Sequence, residues 1–364
     1  MAEYTAPRGT YDIMPDDQPY WRHVASVAHS TTALFGYRQI EPPIFEAASL
    51  FTRGIRERPQ AGRFRQLFQF NVEAIGSPDP AADFEVMSVA WNLYETIGLK
   101  GLSFQINSIG DRQCRPQFVK TLQAYYREHF DTICDDCKRR VDTNPLRVLD
   151  CKNAQCQPII EGAPRTIDSL CEACASHFAR LRQYLEQAQR PYTVNNRLVR
   201  GLDYYTRTVF EVWANTLGAQ SAVCGGGRYD DLAEVLGGKP TAGVGFAAGV
   251  DRIVMAMRAE EIEPPALPSP QVLVAYQSEA AKPVAVQLAM RLRQAAVRAV
   301  VPLDSRSLKA QLKQADREGV RFALILGDEE IAGRTVVVKP MDGGDQTTVE
   351  MDTVVGRVVG LLGS

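Results

Sequence analysis

The 364-residue chain carries 41 basic and 43 acidic side chains, a formal net charge of −2, which excludes a uniformly basic nucleic-acid coat but not a local basic face. With 45% apolar and 23% charged residues the composition is that of a globular protein, and the length suits two or three domains with sizeable cores. No apolar run reaches the roughly 18–20 residues that span a bilayer, and Met1-Ala2-Glu3-Tyr4 opens no basic-then-apolar leader, so a cytoplasmic location is expected.

In chain order, turn-forming Pro7-Arg8-Gly9-Thr10 and Met14-Pro15-Asp16-Asp17 come first. Trp21, Val24, Val27, Ala28, Thr31 and Leu34 recur every three or four positions, which predicts a helix over 19–35 stopped by Gly36. An extended run over 37–45 contains Pro42-Pro43, which fits an edge or interface strand because proline cannot donate to a ladder. A basic stretch at 53–66 leads to a strand over 67–75, a helix over 83–97 and a strand over 102–109. Residues 111–190 read as helical and cysteine-bearing, and strand alternation returns at 209–213 and in the glycine-punctuated stretch to Gly249. These patterns predict a central sheet interrupted by a helical insertion. Pro264, Pro265, Pro268 and Pro270 make 263–270 a stiff linker. Beyond it, strands at 272–276, 299–302 and 322–326 alternate with helices at 280–296 and 308–318, which implies a small α/β domain with a largely parallel sheet.

Six of the eight cysteines form Cys134-x2-Cys137, Cys151-x4-Cys156 and Cys171-x2-Cys174. Without an export leader, thiols spaced this way read as zinc ligands in preference to disulfides. Six thiols compete for four places: 13 residues separate Cys137 from Cys151, and 14 separate Cys156 from Cys171. A structural Zn2+ on Cys151, Cys156, Cys171 and Cys174 is the favoured set, against reduced cysteines that simply pack.

A Gly-x4-Gly-Lys-Ser/Thr loop is absent, which argues against a P-loop enzyme. The segment Gly243-Val244-Gly245-Phe246-Ala247-Ala248-Gly249 is one residue longer than the dinucleotide fingerprint and follows Lys239-Pro240-Thr241, not a strand. It predicts a strand and helix in close approach, with Arg252 in the helix's first turns. Gly225-Gly226-Gly227 predicts backbone passing beside something bulky. Arg56, Arg58, Arg63 and Arg65, on a loop between strands, suit a polyanion because guanidinium forks match phosphate oxygens. Spacing alone therefore points to an α/β enzyme with a phosphate-rich ligand.

Together these stretches resemble a histidyl-tRNA synthetase, a class II aminoacyl-tRNA synthetase. The resemblance runs in order through Pro7 to Thr10, Gly36-Tyr37, Pro43-Ile44-Phe45-Glu46, Glu57 to Arg63, and Asn144-Pro145-Leu146-Arg147. It continues through Arg200-Gly201-Leu202-Asp203-Tyr204-Tyr205, Gly226-Gly227-Arg228-Tyr229-Asp230 and Gly245 to Arg252. It implies an α+β fold: an antiparallel catalytic sheet in two parts (1–110 and 191–262), a helical insertion (111–190), a linker (263–270) and an α/β anticodon-binding domain (271–364). It also implies histidine, ATP with Mg2+ and tRNA(His) as substrates, and a homodimer with Pro43 in the first class II motif.

Activation joins the histidine carboxylate to the ATP α-phosphate, so fixed cations are needed where charge develops. By resemblance Arg200 is the catalytic cation at the carboxylate and α-phosphate, while Glu57, Arg63 and Arg252 bind ATP. Glu73 and Tyr205 match the residues that read the imidazole, and Gln69 the one that holds the α-amino group. Tyr204 and Tyr229 line the pocket. Burying such groups rejects apolar look-alikes, which would leave them unpaired. In the anticodon-binding domain, Lys309, Lys313 and Arg317 share one helix face suited to phosphate contacts.

One departure stands out. Phe51-Thr52-Arg53-Gly54-Ile55 runs straight into Arg56-Glu57-Arg58-Pro59, where the family has several dozen intervening residues that include a Pro-Glu-Gly-Thr segment at the histidine amino group. Arg56 therefore fits the variable position of the family's Arg-x-Glu-Arg pattern, not its ATP-binding arginine. The missing stretch favours a histidine-sensing, non-catalytic paralogue such as the regulatory subunit of ATP phosphoribosyltransferase. The intact later segments favour the synthetase.

Overall fold

A computed structural model describes residues 7, 9–43, 66–201, 204–218, 221–304 and 306–363. The chain divides into two compact units, Met1–Pro265 and Ala266–Ser364.

The first unit opens with α1 (Gln18–Leu34), whose Val24, Val27, Ala28 and Thr31 are buried, whereas Leu34 at its last position is 83% exposed. Among the described residues, 37–43 pair with no strand, and the rest of that run lies outside the described residues. Strand β1 (Gln69–Ile75) starts two residues later than its apolar pattern, and Phe68 just ahead of it bonds Val250 and Asp251. Its N–H donates to Asp251 at 3.2 Å and its carbonyl accepts from Val250 N–H at 2.8 Å. Helix α2 (Pro80–Ile97) begins earlier than its apolar stripe: the Asp79 carboxylate caps it by accepting from Ala81 N–H, and left-handed Gly98 closes it. Strand β2 (Leu102–Ser108) precedes the helical insertion, which contains α3 (Arg115–Glu128), α4 (Asp135–Thr143), α5 (Gln157–Glu161) and α6 (Glu172–Gln187). The sheet is completed by β3 (Thr193–Val194), β4 (Thr206–Ala214), β5 (Ala222–Arg228) and β6 (Gly243–Gly249), with the short α7 (Leu232–Val235) before β6 and α8 (Val250–Ala259) after it.

Six strands run in the order β1-β6-β5-β4-β2-β3, antiparallel at every pairing except β2–β3. Side chains alternate between faces, so Val72, Phe246, Phe210 and Ile106 fall in one register row and join α2, α6 and α8 in the main core. The other face carries polar side chains together with Val209, which packs against Ile109, Leu198 and Tyr205.

In the second unit β7 (Val272–Tyr276) is buried at every position. Val272, Val274 and Tyr276 meet α9 (Lys282–Gln294), while Leu273 and Ala275 meet Ala315 of α10 (Leu308–Arg317). Strands β8 (Ala299–Val300) and β9 (Phe322–Leu326) flank β7 in parallel. After α11 (Asp328–Gly333), β10 (Thr335–Pro340) and β11 (Thr347–Glu350) add an antiparallel hairpin, and α12 (Val354–Gly363) ends the unit. The sheet is thus only partly parallel. The exposed polar β11 has too little apolar alternation to announce itself in the sequence.

Candidate active site

Two neighbouring register rows pave the face opposite the core. One reads Asn71, Ala247, Gly225, Glu211, Gln105 across β1, β6, β5, β4 and β2; the other reads Glu73, Gly245, Gly227, Val209, Asn107. On β6 and β5 these positions hold only glycine and alanine. The result is a trough two strands wide with polar side chains along both banks.

Three side chains lie in that trough, each over a glycine. A Cβ on Gly225 would run into the Arg200 guanidinium, one on Gly243 into the Tyr229 ring, and one on Gly245 into the Glu73 carboxylate. The glycines are there for room. Tyr229 donates its hydroxyl hydrogen to Glu73 Oε2. The Tyr204 ring packs against Tyr205 at 4.7 Å between centroids and meets Tyr229 edge-on at 6.2 Å. Arg200 stands 5.7 Å over the Tyr205 ring.

Arg200 is aimed by Glu211. Its Nη1 donates to Glu211 Oε1 at 2.5 Å, and the same carboxylate accepts from Trp213 Nε1 at 2.8 Å. Among the described residues, the buried Nε–H of Arg200 has no hydrogen-bond partner. Burial raises the pKa of Glu73, and the hydrogen bond from Tyr229 works against that rise. Burial also raises the Tyr229 pKa, with Glu73 adding to the rise, so the phenol keeps its proton and remains the donor.

Gln69 lies on the same face of β1 as Asn71 and Glu73 and donates to Asn71 Oδ1 at 3.3 Å. Arg252 sits in the first turn of α8 and its Nε donates to the Ala222 carbonyl at 2.5 Å. Glu57 and Arg63 lie outside the described residues, as do Leu202 and Asp203. Glu211 was not singled out by sequence reasoning. The signal was there, an acid alternating with Phe210 and Val212 within a strand and so facing away from the core. Arg228, inside the same Gly-Gly-Arg-Tyr-Asp segment as Tyr229, turns to the opposite face and pairs with Asp83 and Asp230.

The cysteines correct one expectation. Cys151, Cys156, Cys171 and Cys174 do not converge: Cys151 and Cys156 gather with Cys134 and Cys137, whereas Cys171 and Cys174 gather with Asp111 and Cys114. The near-equal spacings of 13 and 14 residues could not separate the alternatives. Between Cys156 and Cys171 the chain forms α5 and a 3-10 turn, which carry it away to the start of α6.

The chain matches the family described as Histidyl-tRNA synthetase over residues 139–253 and that described as Anticodon binding domain over 271–361. It is 41% identical to a histidine–tRNA ligase of Dehalococcoides mccartyi, over 98% of this chain and 99% of the relative. A second histidine–tRNA ligase, from Pelotomaculum thermopropionicum, is also 41% identical, over 96% of each chain. The first alignment occupies 413 positions against the 364 residues of this chain, so the relative carries at least 49 residues that this chain lacks. Among solved structures, the apo histidyl-tRNA synthetase of S. aureus superposes with a TM-score of 0.81 at 32% identity, covering 98% of this chain and 99% of that one. A Bacillus halodurans protein described as an ATP phosphoribosyltransferase regulatory subunit/histidyl-tRNA synthetase shares the fold, with a TM-score of 0.58 at 19% identity over 89% and 98% of the two chains. On these likenesses the chain belongs to the histidine–tRNA ligase family.

Proposed function

We propose that this chain activates L-histidine with ATP and transfers it to tRNA(His), as a cytoplasmic homodimer. The observation that carries the reading is the Tyr229–Glu73 hydrogen bond beside Arg200 over a glycine-paved trough. Glu73 supplies an acceptor for one imidazole N–H and Tyr205 a polar partner for the other ring nitrogen, with Tyr204 and Tyr229 as walls. Gln69 takes the α-amino group.

A histidine carboxylate oxygen then attacks the α-phosphorus, and the bond to the bridging oxygen breaks as diphosphate leaves. The Arg200 guanidinium meets the charge gathered on the five-coordinate phosphorus, and Glu211 keeps it aimed there. Arg252, with Glu57 and Arg63, holds the rest of the nucleotide, which arrives with Mg2+. In the second step a terminal ribose hydroxyl of the tRNA attacks the acyl carbon and AMP departs.

The shorter length is the observation that supports a histidine-binding paralogue without ligase activity. Against it stands 41% identity to a histidine–tRNA ligase over 98% of the chain. Histidine-dependent ATP–diphosphate exchange decides between them. Exchange in the wild type, with Arg200→Ala lowering its rate far more than it weakens ATP binding, is the outcome expected of the ligase. Histidine binding without exchange would identify the paralogue.

A further inference from the structure

The insertion holds two side-chain clusters that the aminoacylation chemistry does not use. In the first, the four sulfurs of Cys134, Cys137, Cys151 and Cys156 lie within 4.8 Å of one another. Cys134 Sγ is 3.8 Å from Cys151 Sγ, and Cys137 Sγ is 3.9 Å from Cys156 Sγ. A tetrahedron with Zn–S bonds of about 2.3 Å has edges of about 3.8 Å. The thiols are free, and at these distances none is a disulfide, whose sulfurs stand about 2.05 Å apart. Backbone N–H groups point at the sulfurs, Cys134 N–H at Cys156 Sγ (3.2 Å) and Asn153 N–H at Cys151 Sγ (3.4 Å), as a thiolate requires.

The second cluster joins Asp111, Cys114, Cys171 and Cys174, with all four ligand atoms again within 4.8 Å. Asp111 Oδ1 is 3.6 Å from Cys114 Sγ and 3.9 Å from Cys171 Sγ. For Zn–O and Zn–S bonds of about 2.1 and 2.3 Å the tetrahedral edge is about 3.6 Å. The other carboxylate oxygen lies 3.7 Å from Arg207, whose backbone bonds Ile109 and Gly110 at the end of β2. Both Cys-x2-Cys pairs begin immediately before a helix, at α4 and at α6.

We propose that each chain binds two structural zinc ions, one on four thiolates within the insertion and one on Asp111, Cys114, Cys171 and Cys174 that fastens α6 to the end of β2.

Elemental analysis of the full chain, purified without chelators from zinc-replete cells, should give two zinc ions per chain. Cys137→Ser should remove one, and Asp111→Ala combined with Cys171→Ser should remove the other. Cadmium-113 NMR of the metal-exchanged wild type needs no variant to fold. Two resonances, one typical of four sulfurs and one typical of three sulfurs and an oxygen, would support the assignment. One zinc or fewer in the wild type, a single cadmium resonance, or an intact mass showing disulfides would overturn it.

Discussion

Arg228 and Asp83 pair with both side chains wholly removed from solvent, the Arg228 Nε standing 3.1 Å from Asp83 Oδ2. The guanidinium spends its remaining donors on the Ser77 carbonyl (2.9 Å), the Asp79 carbonyl (3.1 Å) and Asp230 Oδ1 (2.9 Å). Asp83 also faces His177 Nε2 at 3.3 Å. One buried cation thus ties the cap of α2 to the strand that delivers Tyr229 to the trough.

Removing Asp83 leaves the buried guanidinium with Asp230 as its remaining carboxylate and takes the acceptor from its Nε–H and one Nη2–H. Asp83→Ala is therefore expected to destabilise the fold by about 3–5 kcal/mol. Urea unfolding followed by far-UV circular dichroism measures it. A change below about 1 kcal/mol, typical of surface pairs, would contradict the arrangement. Burial opposes ionisation of Asp83, but His177 and Arg228 outweigh it and hold the pKa below the usual carboxylate value. The group binds its proton less tightly folded than unfolded, so its contribution is present above the unfolded pKa and is lost as pH falls through the folded one.

Gly225→Ala and Gly245→Ala are expected to cut histidine-dependent ATP–diphosphate exchange by on the order of 100-fold, because displacement of a positioned group by about 1 Å costs that much. The two should fail differently. Gly225→Ala pushes on Arg200 and should lower kcat, whereas Gly245→Ala pushes on Glu73 and should raise the KM for histidine. Steady-state kinetics at varied histidine separates the two, and unaltered kinetics in both would mean the trough is not where the chemistry occurs.

Glu73 gives a pH dependence whose sign differs for binding and for stability. Burial raises its pKa above the ordinary value of 4.5. Only the carboxylate accepts an imidazole N–H without offering a proton of its own, so histidine affinity should fall as pH drops through the raised pKa. Over the window between the ordinary value and the raised one, the folded state binds the proton more tightly than the unfolded chain, so acidification there favours the fold. Calorimetric titration of histidine across that window should show weaker binding with no loss of folded protein. Glu73→Gln should weaken binding at neutral pH and abolish that pH dependence. An unchanged affinity in that variant would remove Glu73 from the pocket.

The sequence announced elements whose pattern is carried by packing, such as β9, whose span matches residue for residue, and the apolar stripe of α1. The glycine run at 225–227 was readable as backbone beside something bulky. What lies on it was not, since Glu73 and Arg200 come from distant parts of the chain, Glu73 placed by the β1–β6 register and Arg200 by the segment ahead of β4. Leu34 obeys the helical spacing yet sits in solvent because the helix ends there. The cysteine pairing failed for a related reason: spacing counts residues along the chain, whereas α5 decides where the chain goes.

In the second unit, α10 presents three cations to solvent. Lys309, Lys313 and Arg317 are exposed on one side of this helix, while Gln311 and Ala315 are buried on the other. A solvated cationic face is the ordinary condition of such a helix, so the test must distinguish solvation from binding to tRNA phosphates. Replacing all three with glutamine removes the charges without touching the buried side. If the face meets tRNA, the KM for tRNA rises, and the slope of log affinity against log salt falls by roughly 0.7–0.9 for each phosphate no longer neutralised. ATP–diphosphate exchange, which needs no tRNA, should stay at the wild-type rate. Unchanged aminoacylation with an unchanged salt slope would leave the three cations as solvent-facing charge. A parallel loss of exchange would mean that this helix acts on the activation step itself.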